Sequence, residues 1–139
     1  MVTSTTKVLL RGEQTEGLIA LVEMAVPRGF AGPPLHIHST WDEGFYVLEG
    51  EVTVQVGVNL VSATRGMFAF APRETAHTFA NQSAQDARIL VLLSPAGFER
   101  YLEGREAGAP PNTRAVGPSI PSHHPAPREP GEDVDAKSR

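Results

Sequence analysis

The feature that most restricts this chain is how often it is interrupted. Turn-forming clusters ("PRGFAGPP", "LEGE", "GVN", "ATRG", "APRET" and "NQSAQD") separate short apolar runs between residues 17 and 94. Runs so short are poor helices, and no helical periodicity lies between them. Eight or so short strands joined by tight turns fold as an antiparallel sandwich or barrel. The runs themselves agree with strands. "EVTVQV" (51–56) alternates, with Val52, Val54 and Val56 on one face and Glu51, Thr53 and Gln55 on the other. "GLIALVEMAV" (17–26) is apolar on both parities, as in a strand covered on two sides, and "MFAFA" (67–71), "AHTFA" (76–80) and "ARILVLLS" (87–94) continue the series. One helix is predicted after them. Ser94 is its expected N-cap and Pro95 its first residue, Phe98, Tyr101 and Leu102 share a face, and Gly104 ends it.

The large apolar residues concentrate in residues 1–104, which suit one barrel domain with its terminal helix. From Arg105 to Arg139 the chain holds seven of its twelve prolines, and Val116, Ile120 and Val134 stand alone among polar neighbours. Such a segment buries too little apolar surface to offset its ordering entropy, so 105–139 is expected to be a Pro-rich tail. The formal charge of −4, with no Lys/Arg cluster, argues against nucleic acid or an anionic membrane as partner. There is no cysteine, which removes disulfides and thiolate chemistry. "MVTSTTKVLLRG" holds only three consecutive apolar residues, too few for a signal sequence, and nothing later could span a bilayer. A cytoplasmic protein is expected. Open sheet edges in such folds favour pairing, so a homodimer is expected too.

One stretch carries chemistry: "PPLHIHSTWDEGFYVLEGE", residues 33–51. On a strand His36 and His38 point the same way and Ile37 points away. A His-x-His pair is often no more than a polar stripe on an ordinary strand. Glu43 changes the balance, because an inward carboxylate is costly to bury without partners. Its offset from His38 is odd, which on one unbroken strand would put it on the opposite face. "STWD" between them is turn-prone, however, so the chain can bend and return Glu43 to the interior. His77 arrives from far along the chain, behind "APRET". Three imidazoles and a carboxylate form an N₃O set that suits Fe, Mn, Ni, Cu or Zn as divalent ions and is poor for Ca or Mg. Trp41 and Asp42 read as turn and rim residues, and His123 and His124 as solvated residues of the tail.

These residues resemble the cupin superfamily, whose first motif is G(x)5HxH(x)3,4E(x)6G and whose second is G(x)5PxG(x)2H(x)3N. His36, His38, Glu43 and Gly50 fall on the first, and Gly66, Pro72, His77 and Asn81 on the second, so eight of ten specified positions agree. Phe30 stands at the leading glycine, between Gly29 and Gly32, and Glu74 at the second motif's inner glycine. The resemblance covers residues 16 to 94. It implies an all-β cupin double-stranded β-helix, a small jelly-roll barrel with a short C-terminal helix, and a divalent transition metal held by His36, His38, Glu43 and His77.

Within that family the complete ligand set and the "SPAGFERYLEG" segment are similar to small quercetin-dioxygenase-like cupins. That resemblance implies a dioxygenase-type oxidoreductase acting on a small aromatic or enolic molecule. Glu43 would both ligate and act as base, with Phe45, Phe68, Phe70 and Phe79 lining the substrate pocket. Two alternatives stand beside it. One is a non-redox isomerase, lyase or decarboxylase, which would need inward cations where Arg65, Arg73 and Arg88 look like turn or edge residues. The other is a cupin that binds a small molecule without turnover.

Overall fold

The computed structural model describes residues 2–104 and 110–121; the remainder of the Pro-rich segment, with His123, His124 and Val134, lies outside the described residues. Its ten strands are β1 (Thr5–Leu10), β2 (Ala20–Val26), β3 (His36–His38), β4 (Asp42–Glu49), β5 (Glu51–Val56), β6 (Asn59–Thr64), β7 (Phe68–Ala71), β8 (His77–Ala80), β9 (Ala87–Ser94) and β10 (Thr113–Ala115). They form two five-stranded sheets in the orders β1-β2-β9-β4-β7 and β10-β3-β8-β5-β6. Every described pairing is antiparallel. No helix of the described residues is long and apolar enough to cross a membrane.

Period-two alternation builds the core. In β2 and β9 the buried residues are Ala20, Val22, Met24 and Val26 and, facing the same way in register, Ala87, Ile89, Val91 and Leu93. Val52 and Val54 close the opposite wall from β5, whereas Val56 at the end of that strand is half-buried. The run 17–26 was apolar on both parities, but its strand starts at Ala20, and only one face is fully buried.

The helix differs from expectation. Ser94 does not cap it: the residue completes β9, in register with Asp42 of β4, and its Oγ donates to the Leu18 carbonyl at 3.2 Å. The ladder claims Ser94, so the helix α1 is a single turn, Glu99–Leu102, with Phe98 at its N-cap.

The Pro-rich segment differs as well. Thr113, Arg114 and Ala115 pair in register with His38, Ile37 and His36, and Ile120 is only 3% exposed. Strand addition uses backbone N–H and C=O groups, so an open edge at β3 captures a segment that has few bulky side chains. Residues 110–121 therefore belong to the barrel wall.

Two backbone positions hold this end of the barrel in shape. Gly32 has φ +80°, and a Cβ there would lie 1.8 Å from the Phe79 carbonyl oxygen, so only glycine fits against β8. The role of the motif's leading glycine thus sits two residues after Phe30. Glu74, at the other departure from the motif, adopts φ +67°. Its N–H donates to the His38 carbonyl at 2.7 Å, tying the loop before β8 to the strand that carries two histidines.

Candidate metal centre

The three histidines come from one sheet. His36 and His77 are cross-strand partners of β3 and β8, and His38 lies two residues along β3 on the same face. Their rings stand 4.6 Å (His36–His77), 4.6 Å (His38–His77) and 5.8 Å (His36–His38) apart, and one ring nitrogen from each can be chosen so that all three lie within 4.8 Å of one another.

Glu43 comes from the other sheet. β3 and β4 belong to different sheets, and Ser39–Trp41 carry the chain across. The odd offset between His38 and Glu43 is therefore no obstacle, because the two side chains meet from opposite walls. Glu43 Oε1 lies 3.8 Å from His38 Nε2, and Oε2 lies 3.5 Å from His77 Nε2; the carboxylate is 5% exposed. In register beside Glu43, β7 places Ala71 and β9 places Leu93.

The donor geometry suits an ion. His36 and His77 donate from Nδ1 to the carbonyls of Pro34 (2.8 Å) and Thr75 (3.0 Å), which turns each Nε2 lone pair inward. His38 Nε2 and His77 Nε2 stand 3.0 Å apart. Donors bound at about 2.1 Å to one ion sit roughly 3.0–3.4 Å apart at adjacent positions. The contacts at 3.0, 3.5 and 3.8 Å are close to that spacing. The three histidines can thus hold a metal ion, with the carboxylate within reach of two of them.

The electrostatics point the same way. Burial pushes His38 down to about 4, against the opposing pull of Glu43, and burial likewise lowers His36. Both imidazoles are held neutral, as ligands must be. Burial also opposes charge on His77 and on Glu43. Their mutual contact outweighs it, so His77 is raised and Glu43 is lowered, with His38 and Trp41 helping to hold Glu43 down. The site favours one positive charge beside its one carboxylate.

Next to the cluster lies a cavity of about 550 Å³. Phe45 and Phe79, both expected in the pocket, line it together with His36 and Glu43. Phe68 and Phe70 do not: each is 52% exposed, while Ala69 and Ala71 take the inward positions of β7. "MFAFA" is apolar on both parities, so hydrophobicity alone does not choose its face. Size does, because two inward rings would fill the space that the small alanines leave beside Phe45 and Glu43.

Other wall residues carried weaker signals. Phe98 from the turn before α1 lines the cavity, as do Phe30 and residues 110 and 113–115 of the C-terminal segment. Trp41, expected at a rim, is only 6% exposed. Its ring stacks on His38 at 3.8 Å and on Phe98 at 4.8 Å, and its Nε1–H donates to Glu43 Oε1 at 3.2 Å. The signal available was its position: it is the chain's one tryptophan, between two motif residues. Asp42 is a rim residue, taking a forked pair of bonds from Arg73 at 3.1 and 3.0 Å. Asn81 is structural. Its Nδ2 donates to the carbonyls of Val26 and Gln85, and its Oδ1 accepts from Ser83.

Two antiparallel sheets closed around an inward histidine triad and a largely apolar cavity define a jelly-roll barrel whose interior can hold a metal ion. The chain belongs to the cupin family: residues 22–93 match its cupin domain. An uncharacterized protein of Streptomyces coelicolor is 35% identical over 54 residues, covering 39% of this chain and 50% of that protein, so the match spans half the length of the relative. Among solved structures, TT1209 from Thermus thermophilus is 34% identical with a TM-score of 0.53, over 57% of this chain and 74% of that one. A predicted oxalate decarboxylase from Thermotoga maritima, 22% identical with a TM-score of 0.62 over 66% and 80% of the two chains, shares the fold. Similarity of fold at that level does not carry an activity with it.

Proposed function

We propose that the protein is a metal-dependent dioxygenase-type oxidoreductase acting on a small aromatic or enolic molecule. His36, His38, His77 and Glu43 would hold one divalent transition ion. The observation that carries the reading is the composition of the cavity beside them. Its walls are mostly apolar, with Met24, Phe30, Phe45, Phe79, Val91 and Phe98 among them, a surface for a flat apolar molecule. Among the described residues, the arginines of the body lie elsewhere. Arg11, Arg73, Arg88 and Arg100 are paired with surface carboxylates. Arg114, opposite Ile37 in register, is the one described arginine at the cavity wall. A sugar or polycarboxylate substrate would meet Arg114 as its one arginine against a largely apolar wall, which ranks isomerase and decarboxylase chemistry second.

A bound ion would supply Lewis acidity toward a substrate oxygen and electronic access to O₂. The chain's own part is positional. The aromatic walls exclude water and orient the substrate ring, and Glu43 is placed to take an enol proton. The test is O₂ uptake on a panel of flavonols and related enols by protein purified without oxygen and loaded in turn with Fe, Mn, Ni, Cu or Co. Uptake that depends on both metal and substrate is expected. His36→Ala and His77→Ala should lose the ion, by elemental analysis, together with the uptake. No uptake with any metal, or unchanged metal in both variants, would overturn the reading.

A further inference from the structure

Trp41 touches two members of the cluster in different ways. Its indole N–H donates to one carboxylate oxygen of Glu43, Oε1, at 3.2 Å. Its ring lies flat on His38, with centroids 3.8 Å apart and planes 9° from parallel. Phe98 backs the indole from the other side at 4.8 Å and 21°. At 6% exposure the ring has little freedom to leave this position. Glu43 Oε2, the oxygen that Trp41 does not touch, lies 3.5 Å from His77 Nε2, nearer the cluster than Oε1, which lies 3.8 Å from His38 Nε2. The other two histidines are oriented by backbone carbonyls at Nδ1, but His38 Nδ1 is buried without such a bond. Its Nε2 meets His77 Nε2 at 3.0 Å, and the stack on Trp41 constrains the plane of the ring.

We propose that Trp41 is the positioning residue of this centre: its N–H occupies one oxygen of Glu43, so that the carboxylate meets an ion through the other oxygen alone, and its ring face sets the plane of His38. The inference rests on the reading of His36, His38, His77 and Glu43 as the ligand set. Partners of this kind orient a ligand without touching the ion, and losing one typically weakens metal binding by about 10–100-fold. A carboxylate freed from the indole can turn and bind through both oxygens, which raises the coordination number.

Trp41→Phe removes the N–H and keeps a ring to stack on His38. The probe is Co(II), titrated into wild type and variant, read by its visible absorption and by affinity. Wild type is expected to take up one equivalent. The variant is expected to bind about tenfold more weakly, with weaker visible bands, as a higher coordination number requires. Superimposable spectra and equal affinity would sink the role of Trp41 and leave the metal reading intact. If wild type takes up no Co(II), the ligand set itself fails, and the inference falls with it. Should the variant not fold, wild type decides alone. As the chain has a single tryptophan, it gives one indole N–H signal in ¹H–¹⁵N spectra. With Zn(II) bound, that signal should stay shifted downfield and exchange slowly with solvent. A signal that moves to the free-indole position and exchanges rapidly would refute the bond to Glu43.

Discussion

The sheet β1-β2-β9-β4-β7 carries aromatic rings on both faces, and the two sets live in opposite surroundings. Looking in, Phe45 is 1% exposed and meets Phe79 from the facing sheet at 5.4 Å. Looking out, Tyr46 is 38% exposed and Phe68 and Phe70 are 52% exposed. Phe68 lies over Gly44, where a Cβ would come within 2.3 Å of its ring. The inward neighbours of these outer rings are Ala69 and Ala71, in register with Phe45 and Glu43. The contrast shows that the cavity depends on small residues facing the carboxylate as much as on large ones lining the walls. A one-residue slip of β7 would exchange the two sets and close the space beside Glu43.

Truncation is the strongest way to break that contrast. Phe45→Ala should cost about 3–5 kcal/mol in urea unfolding, as a fully buried ring does. Phe70→Ala should cost below about 1 kcal/mol, because half of its surface already meets water. Equal costs would mean that the outer rings are packed in the protein as it exists in solution. In that case the covering partner would be a second copy of the chain. Three rings of roughly 200 Å², at those exposures, offer about 300 Å² toward the roughly 800 Å² that each partner of a stable pair buries. Light scattering should then report a dimer that the double substitution Phe68→Lys with Phe70→Lys converts to a monomer; a monomeric wild type would refute the pairing.

What was legible in the sequence follows the same division. β5 alternates clearly between apolar and polar residues and was located at 51–56 to the residue. β9, apolar on both parities over 89–93, was located at 87–94 as an apolar run behind the "NQSAQD" turn. The ligand spacing was legible because it is a covalent fact of the chain. Phe68 and Phe70 were not, since a run apolar on both parities leaves its face to be decided by volume in three dimensions. β10 was hidden for another reason: it pairs through backbone groups that every residue carries, and its side chains announce nothing. Trp41 gains its role only from residues that the fold brings to it, and no local pattern encodes a stack on His38 and Phe98.

Acid offers a gentler probe of the inward side. Burial holds His38 at about 4 in the folded protein against an ordinary value of 6.5. Between those values the unfolded chain binds a proton that the folded chain refuses, so stability must fall as pH drops from 6.5 toward 4. His36 acts in the same direction. His77 acts oppositely: its raised value gives stability below 6.5 that is lost as pH rises through its folded pKa. Glu43, lowered, contributes above 4.5 and loses that contribution only as pH falls through its folded value. For metal-free protein, the His38 contribution alone should weaken stability by about 2 kcal/mol between pH 7 and pH 5. His38→Asn should flatten that slope in urea titrations at the two pH values. A slope unchanged by the substitution would show that the imidazole is not kept neutral by its surroundings.

The smallest effect concerns a residue whose side chain looks outward while its backbone serves the interior. Glu74 is exposed, and its N–H bond to the His38 carbonyl needs φ +67°. A side chain in that conformation costs about 1–2 kcal/mol, and glycine would remove the cost while giving the unfolded chain about 0.5–1 kcal/mol more entropy. The difference predicts that Glu74→Gly stabilises the metal-free protein by about 0.5 kcal/mol, read as a small rise in Tm, with metal affinity unchanged. The bond to His38 is made by the backbone, so it survives the substitution. A fall in Tm, or a loss of metal affinity, would mean that the carboxylate of Glu74 itself steadies the histidine strand, and the separation of inward from outward roles would fail at the rim.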